Sequence, residues 1–337
     1  MTSKLKYGWS NAADRHQRLS TEVIVCTYNG ARFIVEQLES IFGQSQKPDL
    51  ISIYDDRSVD NTVAIVLHFI EQRGTNDVST RVRINENNLG FALNFSNAIA
   101  EAQCDVLFLC DQDDRWHENK IRTSLDIIQN SKADMMFSDG ILIDAEGHRL
   151  PVRSVLTNYG LSKSNIVNFP RNPAQHLLRR NYVNGAAMAI RRAAAQAALP
   201  VPAGVPHDYW LAIWCALHGG IDATADCLYE YRQHDSNVIG MGLDRWHHQL
   251  LGIWHRPHPP RLRELNILTE FIPRIQGMPA ASAFNEKLQW LQACVGQKGR
   301  LVRLSSVLRS ALRGYYRRFG APYALARDLV SILRTPT

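Results

Sequence analysis

Three carboxylates, Asp111, Asp113 and Asp114, lie within four residues of one another and directly follow the apolar run Val106-Leu107-Phe108-Leu109-Cys110. Such a run reads as a buried strand, so the acidic group stands at its C-terminal end. Like charges held that close cost free energy or take up protons. A divalent cation relieves both, and hard cations prefer oxygen ligands. The competing reading is a solvated acidic loop in which Asp114 caps a helix. A second pair, Asp55 and Asp56, ends the run Leu50–Tyr54. Capping accounts for Asp60 and Thr62 just beyond it, and accounts poorly for Asp56. An ionised carboxylate only accepts, so Asp56 suits the imide N–H of uracil or thymine. In Cys26-Thr27-Tyr28-Asn29-Gly30 the polar turn either caps the next helix or offers Tyr28 as a flat face to a base or sugar. Asp208, after Pro206-His207, reads by itself as a helix cap.

These residues need elements to hold them. The pattern predicts strands at Val23–Thr27, Leu50–Tyr54, Arg81–Ile84, Val106–Cys110 and Met135–Ser138. It predicts helices at Ala31–Phe42, Asp60–Arg73, Asn88–Ala102 and Glu118–Gln129. Such alternation implies βαβ units and a parallel sheet. After Asp139 the rhythm changes. A short hairpin is expected at Ile141–Asp144 with Gly147, then an irregular stretch over 150–180, which suits a functional loop. A strand at Ala186–Ile190, helices at Arg191–Leu199 and His207–His218, and a strand at Cys227–Tyr231 follow. From Trp246 the pattern is helical and Arg-rich, broken at His255–Pro260.

Taken in order, these pieces resemble glycosyltransferase family 2, the inverting nucleotide-sugar enzymes of the GT-A type. The matching pieces are Thr27-Tyr28-Asn29-Gly30, Ser40-Ile41 with Gln44, Asp55 through Thr62, Asn88-Leu89-Gly90 and Asp111-Gln112-Asp113-Asp114. Asn184-Gly185-Ala186-Ala187, His207-Asp208-Tyr209-Trp210 and Tyr231-Arg232-Gln233-His234 with Asn237 and Gly240 resemble its rhamnosyltransferase-like branch. The resemblance covers about residues 20–240. It implies an α/β fold of GT-A type, a mostly parallel sheet flanked by helices with a Rossmann-like nucleotide-binding half. A polar tail (1–19) would precede this domain (20–240), and a basic helical extension (241–337) would follow.

The same resemblance implies roles. Thr27, Tyr28, Asn29, Asp56 and Gly90 would bind the nucleotide sugar, with Asp111 and Arg232 at its diphosphate. Asp111 and Asp113 would hold Mg2+ or Mn2+, and His234 is either a third ligand or structural. Asp208 would be the general base on the acceptor hydroxyl. Asp114, Asp139, Gly185 and Trp210 fall on the supporting or acceptor side, although Asp139 also reads as a turn residue. Arg57 stands where the family commonly has Gly, which affects a turn more than the chemistry. The Gln-x-x-Arg-Trp motif of processive members is absent, which favours transfer of a single sugar. The implied donor is dTDP-L-rhamnose, with UDP-galactose or UDP-glucose as runner-up. The implied acceptor is lipid-linked or an oligosaccharide, in cell-surface polysaccharide synthesis.

Composition fits this picture. The chain has 337 residues and 45% hydrophobic content, enough for a substantial core. Its +6 net charge is uneven: 23 Lys+Arg against 27 Asp+Glu up to Gly240, and 15 against 5 from Met241 onward. The tail therefore suggests an anionic partner. On a helical wheel Leu301, Leu304, Leu308, Leu312, Tyr315 and Phe319 share one face, and Arg303, Arg309, Arg313 and Arg317 the other. Such a helix either packs on the domain or lies on an anionic membrane surface. Six scattered cysteines without CxxC spacing predict neither disulfides nor zinc. The polar first twenty residues predict no signal peptide, and no apolar run approaches ~20 residues. A cytoplasmic protein is expected, peripheral on the inner face of the cell membrane if the tail binds lipid. A sugar-phosphate nucleotidyltransferase would need a Gly-rich basic first loop, which Tyr28–Phe33 does not supply. A non-catalytic polyanion-binding protein could use the tail. Yet its aromatics fall on the apolar face, so no nucleic acid is expected.

Overall fold

A computed structural model describes residues 18–73, 78–152, 154–202, 205–235, 260–278, 280–295, 300–320, 324–325 and 328–329. The expectations for residues 1–17, Asn237, Gly240, the boundary at 240 and the stretch 246–259 lie outside these residues.

Strand β1 (Thr21–Thr27) pairs in parallel with β2 (Leu50–Asp55) on one side and β4 (Val106–Cys110) on the other. Every residue of β1 and β4 is buried. Strands covered on both faces read as unbroken apolar runs, which is why the sequence showed them so plainly. β3 (Ser79–Ile84) pairs with β2 as the sheet edge. Its Arg81 and Arg83 place charge there, which discourages pairing with another chain. Helix α1 (Ile34–Phe42) buries Ile34, Leu38 and Ile41, one stripe of an amphipathic helix. Cutting Leu38 to Ala would cost about 2–5 kcal/mol. α1 packs on α2 (Thr62–Arg73), and α3 (Phe91–Ala100) packs on β1 and β2.

The eight strands run β3-β2-β1-β4-β7-β6-β8-β5. β7 (Met188–Arg191) is antiparallel to both β4 and β6 (Met135–Ile143), so β6 shares the direction of β4. β8 (Ile221–Arg232) is parallel to β6, and the short β5 (Arg115–Trp116) runs against β8. The sheet is thus mostly parallel, as expected. The C-terminal ends of β1, β2, β4, β6 and β8 all point to one edge, where open α/β sheets bind ligands. α4 (Lys120–Ser131) packs on β6 and β8.

The later elements depart from expectation. β6 continues past Ser138 through an irregularity at Asp139, and the expected hairpin is its end, where Ile143 bridges Arg149. Residues 150–180 are not irregular: they form α5 (Val155–Asn158), α6 (Lys163–Asn168) and α7 (Pro173–Arg179). Helices this short span too few turns to show a helical period. β7 runs antiparallel, and β8 starts six residues before the expected Cys227. α8 (Arg192–Ala197) and α9 (His207–His218) fall where expected.

The described helices after residue 259 pack on the rest of the chain. α10 (Pro260–Phe271) and α11 (Ala281–Val295) join the same core. Phe271 meets Trp210 edge-on with ring centres 4.9 Å apart. The buried Lys287 ammonium donates to the Leu178 carbonyl and pairs with Glu264. α12 (Arg300–Leu312) and α13 (Tyr315–Phe319) follow, and the Arg179 guanidinium donates to the Arg317 carbonyl. Among the described residues no helix is long and apolar enough to cross a membrane.

Candidate active site

Parallel register sets Thr27 beside Asp55. The Thr27 hydroxyl donates to the Asp55 carboxylate at 2.7 Å, which also accepts the Ser58 N–H at 2.7 Å. Asp56 is buried and accepts the N–H groups of Leu89 and Gly90 and the Asn85 side-chain amide, all at 2.8 Å. A carboxylate has about four acceptor positions, so roughly one is left for a base. Asn29 is left-handed (φ 52°) and its side-chain oxygen accepts the Val59 N–H at 2.9 Å. Asn tolerates that conformation because its short side chain bonds locally. Arg57 is also left-handed (φ 62°), a turn that Gly would enter without strain. The Tyr28 ring is 47% exposed, open to stack on a planar ligand.

A residue that sequence reasoning treated as a spacer joins the two loops. Gln112 accepts the Tyr28 N–H at 2.8 Å and donates to the Tyr28 carbonyl at 3.0 Å. Gly30 makes room for it: a Cβ there would lie 2.1 Å from Gln112 Oε1. Nothing in the local sequence signals this contact.

The acidic group itself is under electrostatic stress. Burial, then the charges of Asp113 and Asp208, push the Asp111 carboxyl up to about 7. Asp208 is half-buried in the first turn of α9, and its charge is the last of the three causes that raise Asp111. Asp114 is pushed well above the usual carboxylate range by burial and by Asp113 and Asp111. The Arg232 N–H, donated to Asp114 at 2.9 Å, offsets part of this. The second Asp114 oxygen has no hydrogen-bond partner among the described residues. Asp113 Oδ2 lies 2.9 Å from His234 Nε2, and Phe33 backs the His234 ring at 4.7 Å.

Among the described residues no three His, Cys, Asp or Glu side chains converge as a ready-made cage for a metal ion. The donor set nevertheless fits a divalent cation. Asp111 and Asp113 could supply oxygens and His234 an imidazole, beside carboxylates of Asp111 and Asp114 that burial and mutual charge raise above their usual range. Mg2+ commonly binds through one or two carboxylates plus substrate phosphates rather than through an all-protein cage.

Several expected site residues are turned elsewhere. Arg232 is 1% exposed: its guanidinium donates to the carbonyls of Asp113 (2.8 Å) and Ala145 (3.0 Å), pairs with Glu36, and lies over Phe33. These contacts tie the acidic loop to α1 and to the end of β6, where the resemblance implied a place at the diphosphate. Trp210 is fully buried and donates its indole N–H to the Ala198 carbonyl at 2.7 Å, so it faces the core and not an acceptor. Asp139 is buried and accepts the N–H groups of Gly140 and Leu156, anchoring α5. Gly185 gives space to His207, whose Nε2 would sit 2.8 Å from a Cβ there.

Phe33, Glu36, Gln112 and His207 are residues of this region that the sequence did not flag. His207 stacks on Phe95 with ring centres 3.9 Å apart, and neither ring nitrogen has a partner among the described residues. Burial pulls its pKa down to about 3, so the ring is neutral. Lys120 is buried beneath the acidic loop, its ammonium 5.0 Å from the Trp116 ring, and burial pulls it down to about 7.

A family model, Glycosyl transferase family 2, matches residues 22–197, just over half of the chain. The chain is 30% identical over 128 residues to dTDP-rhamnosyl transferase RfbG of Shigella flexneri, covering 37% of this chain and 44% of that relative. It is 32% identical over 117 residues to glycosyltransferase GlyG of Streptococcus pneumoniae serotype 4, covering 35% and 38%. The matched segments therefore span under half the length of these curated relatives. Among solved structures it resembles S. aureus TarS 1-349 (TM-score 0.54, 14% identity, 93% of this chain and 90% of that chain). It also resembles mannosyltransferase PcManGT from Pyrobaculum calidifontis, solved with GDP-Man and Mn2+ (TM-score 0.56, 16% identity, 97% and 88%). Identity this low speaks for the fold, which is the GT-A arrangement. The matched span contains both strand-end carboxylate loops, and by that match the chain belongs to glycosyl transferase family 2.

Proposed function

We propose that this protein is an inverting, metal-dependent glycosyltransferase that moves one sugar from a nucleotide-diphosphate donor to a lipid-linked or saccharide acceptor. The observation that carries the reading is the crowding of Asp111, Asp113 and Asp114 at the C-terminal end of β4, where burial and mutual charge raise Asp111 and Asp114, with Asp208 among the charges acting on Asp111. Asp111, Asp113 and His234 would hold Mg2+ or Mn2+, which would neutralise charge on the departing diphosphate. Thr27, Tyr28, Asn29, Asp56 and Gly90 form the nucleotide side, with Tyr28 stacking on the base and Asp56 offering its remaining acceptor position. Asp208 takes the proton of the acceptor hydroxyl as its oxygen bonds to the anomeric carbon. The bond from that carbon to the donor phosphate oxygen breaks on the opposite face, so configuration inverts. One carboxylate suffices, because the leaving group needs no proton.

The likeness to RfbG favours dTDP-L-rhamnose as donor, and UDP-galactose or UDP-glucose is the second reading. A panel of these nucleotide sugars, incubated with and without Mn2+, tests the proposal. Turnover of one donor that requires metal and is lost in Asp113→Ala is the expected result. Metal-independent turnover, or full transfer by Asp208→Asn, overturns it.

A further inference from the structure

Helix α12 is built inside out. Its packing face is small and partly polar: Ser306, Val307 and Ser310 are buried, and the Ser306 hydroxyl donates to the Ala293 carbonyl of α11. The leucines point the other way. Leu301 is 81% exposed, Leu308 50% and Leu312 88%, with Leu304 at 36% beside them. At 100° per residue, Leu301, Leu308 and Leu312 fall on one line along the helix, opposite the buried serines. Water is a poor environment for such a stripe, and a contiguous apolar patch on a folded protein marks an interaction surface.

The charge around the stripe identifies its partner. Residues 300–320 contain six arginines and no Asp or Glu. Arg309, Arg313, Arg317 and Arg318 are exposed. Two copies of this face would bring like charges together, which disfavours self-association through it. An apolar stripe flanked by cations instead matches an anionic lipid surface, where leucines enter the acyl boundary and arginines meet headgroups. We propose that α12 docks this protein onto an anionic membrane surface through Leu301, Leu304, Leu308 and Leu312, with Arg309 and Arg313 at its rim.

The docking element is tied to the reaction centre. Arg179 of α7 donates to the Arg317 carbonyl, Lys287 donates to the Leu178 carbonyl, and Tyr209 of α9 donates its hydroxyl to the Leu177 carbonyl at 2.9 Å. α7 therefore joins the lipid-facing extension to the helix that carries Asp208. A membrane-bound α12 holds the proposed base at a fixed relation to the bilayer, the arrangement a lipid-linked acceptor requires.

Flotation of the full chain with vesicles tests the proposal without any sugar transfer, so it can fail while the transferase reading stands. The chain should float with phosphatidylcholine vesicles containing phosphatidylglycerol, and not with phosphatidylcholine alone. Leu301→Ser/Leu308→Ser/Leu312→Ser should abolish flotation while keeping the wild-type circular dichroism spectrum, because these side chains already face water. Arg309→Gln/Arg313→Gln should weaken binding by about fivefold per cation, and salt should do the same to wild type. Leu312→Trp should show a blue-shifted emission that brominated lipid quenches. The proposal is overturned if wild type ignores anionic vesicles, or if the triple serine variant floats as well as wild type. It is also overturned if the triple variant instead dissociates a soluble oligomer.

Discussion

The loops after β2 and β4 hold the same residue type at the same edge of one sheet, yet they treat it in opposite ways. Asp55 and Asp56 are largely satisfied by donors from their own surroundings, including the Ser58, Leu89 and Gly90 amides, which leaves Asp56 about one acceptor position. Asp114 is buried and Asp111 half-buried beside Asp113, and the proton affinity of Asp111 and Asp114 rises accordingly. The first loop spends its carboxylates on building a rigid platform. The second crowds its carboxylates together, which raises Asp111 and Asp114 above the usual carboxylate range. A carboxylate at a strand end therefore has no fixed meaning; the donors around it decide whether it is scaffold or site.

Five substitutions test or sharpen that contrast, beginning with the largest effect. Asp208→Asn should lower kcat by about 10²–10⁴-fold while donor affinity, measured by calorimetry, stays near wild type. A large loss of donor affinity instead would place Asp208 with the nucleotide. Asp56→Ala should cost about 1–3 kcal/mol in urea unfolding, because it removes the acceptor of the Leu89 and Gly90 amides. Asp111→Asn should do the reverse in metal-free protein, raising stability by about 1 kcal/mol by relieving like-charge crowding while abolishing transfer. If both Asp variants shifted stability the same way, the contrast between the loops would collapse.

Lys120 sharpens the point through pH. Unfolded, its ammonium keeps a proton to the ordinary lysine range; folded, burial pulls it down to about 7. Between those values the unfolded chain binds more protons, so stability rises with pH. Melting temperatures from pH 7 to 9 should climb more steeply in wild type than in Lys120→Met. Equal slopes would mean that Lys120 keeps its proton when folded. Arg57→Gly should have the smallest effect, within about 1 kcal/mol of wild type, since it relieves a left-handed turn but frees the unfolded chain.

The first half of the fold was legible because buried parallel strands and amphipathic helices write long, regular patterns. Both carboxylate loops were visible for the same reason: they interrupt those patterns at strand ends. Legibility failed where meaning depends on partners far along the chain. Arg232 looks like a phosphate ligand in sequence, and only the fold shows its guanidinium committed to the carbonyls of Asp113 and Ala145 and to Glu36. Trp210 sits in a site-like motif, and packs with Phe271 from the extension. The antiparallel run of β7 left no local trace, because pairing direction is set by topology. The wheel over 301–319 treated one helix, but the chain breaks at the left-handed Gly314, so Phe319 is buried while Leu301, Leu308 and Leu312 on the supposed same face are exposed and Ser306 and Ser310 look inward.

Gly30 and Gln112 carry a consequence of a different order. The absent side chain at one position is the room for the long side chain at the other, 82 residues away. Neither position can vary alone without disturbing the tie between the Tyr28 loop and the acidic loop. Through generations of substitution the two should drift as a pair, a bulkier residue at 30 being admitted only after a shorter one at 112. A trace of this geometry would then be written in descent, readable by anyone who aligns the chain with its kin.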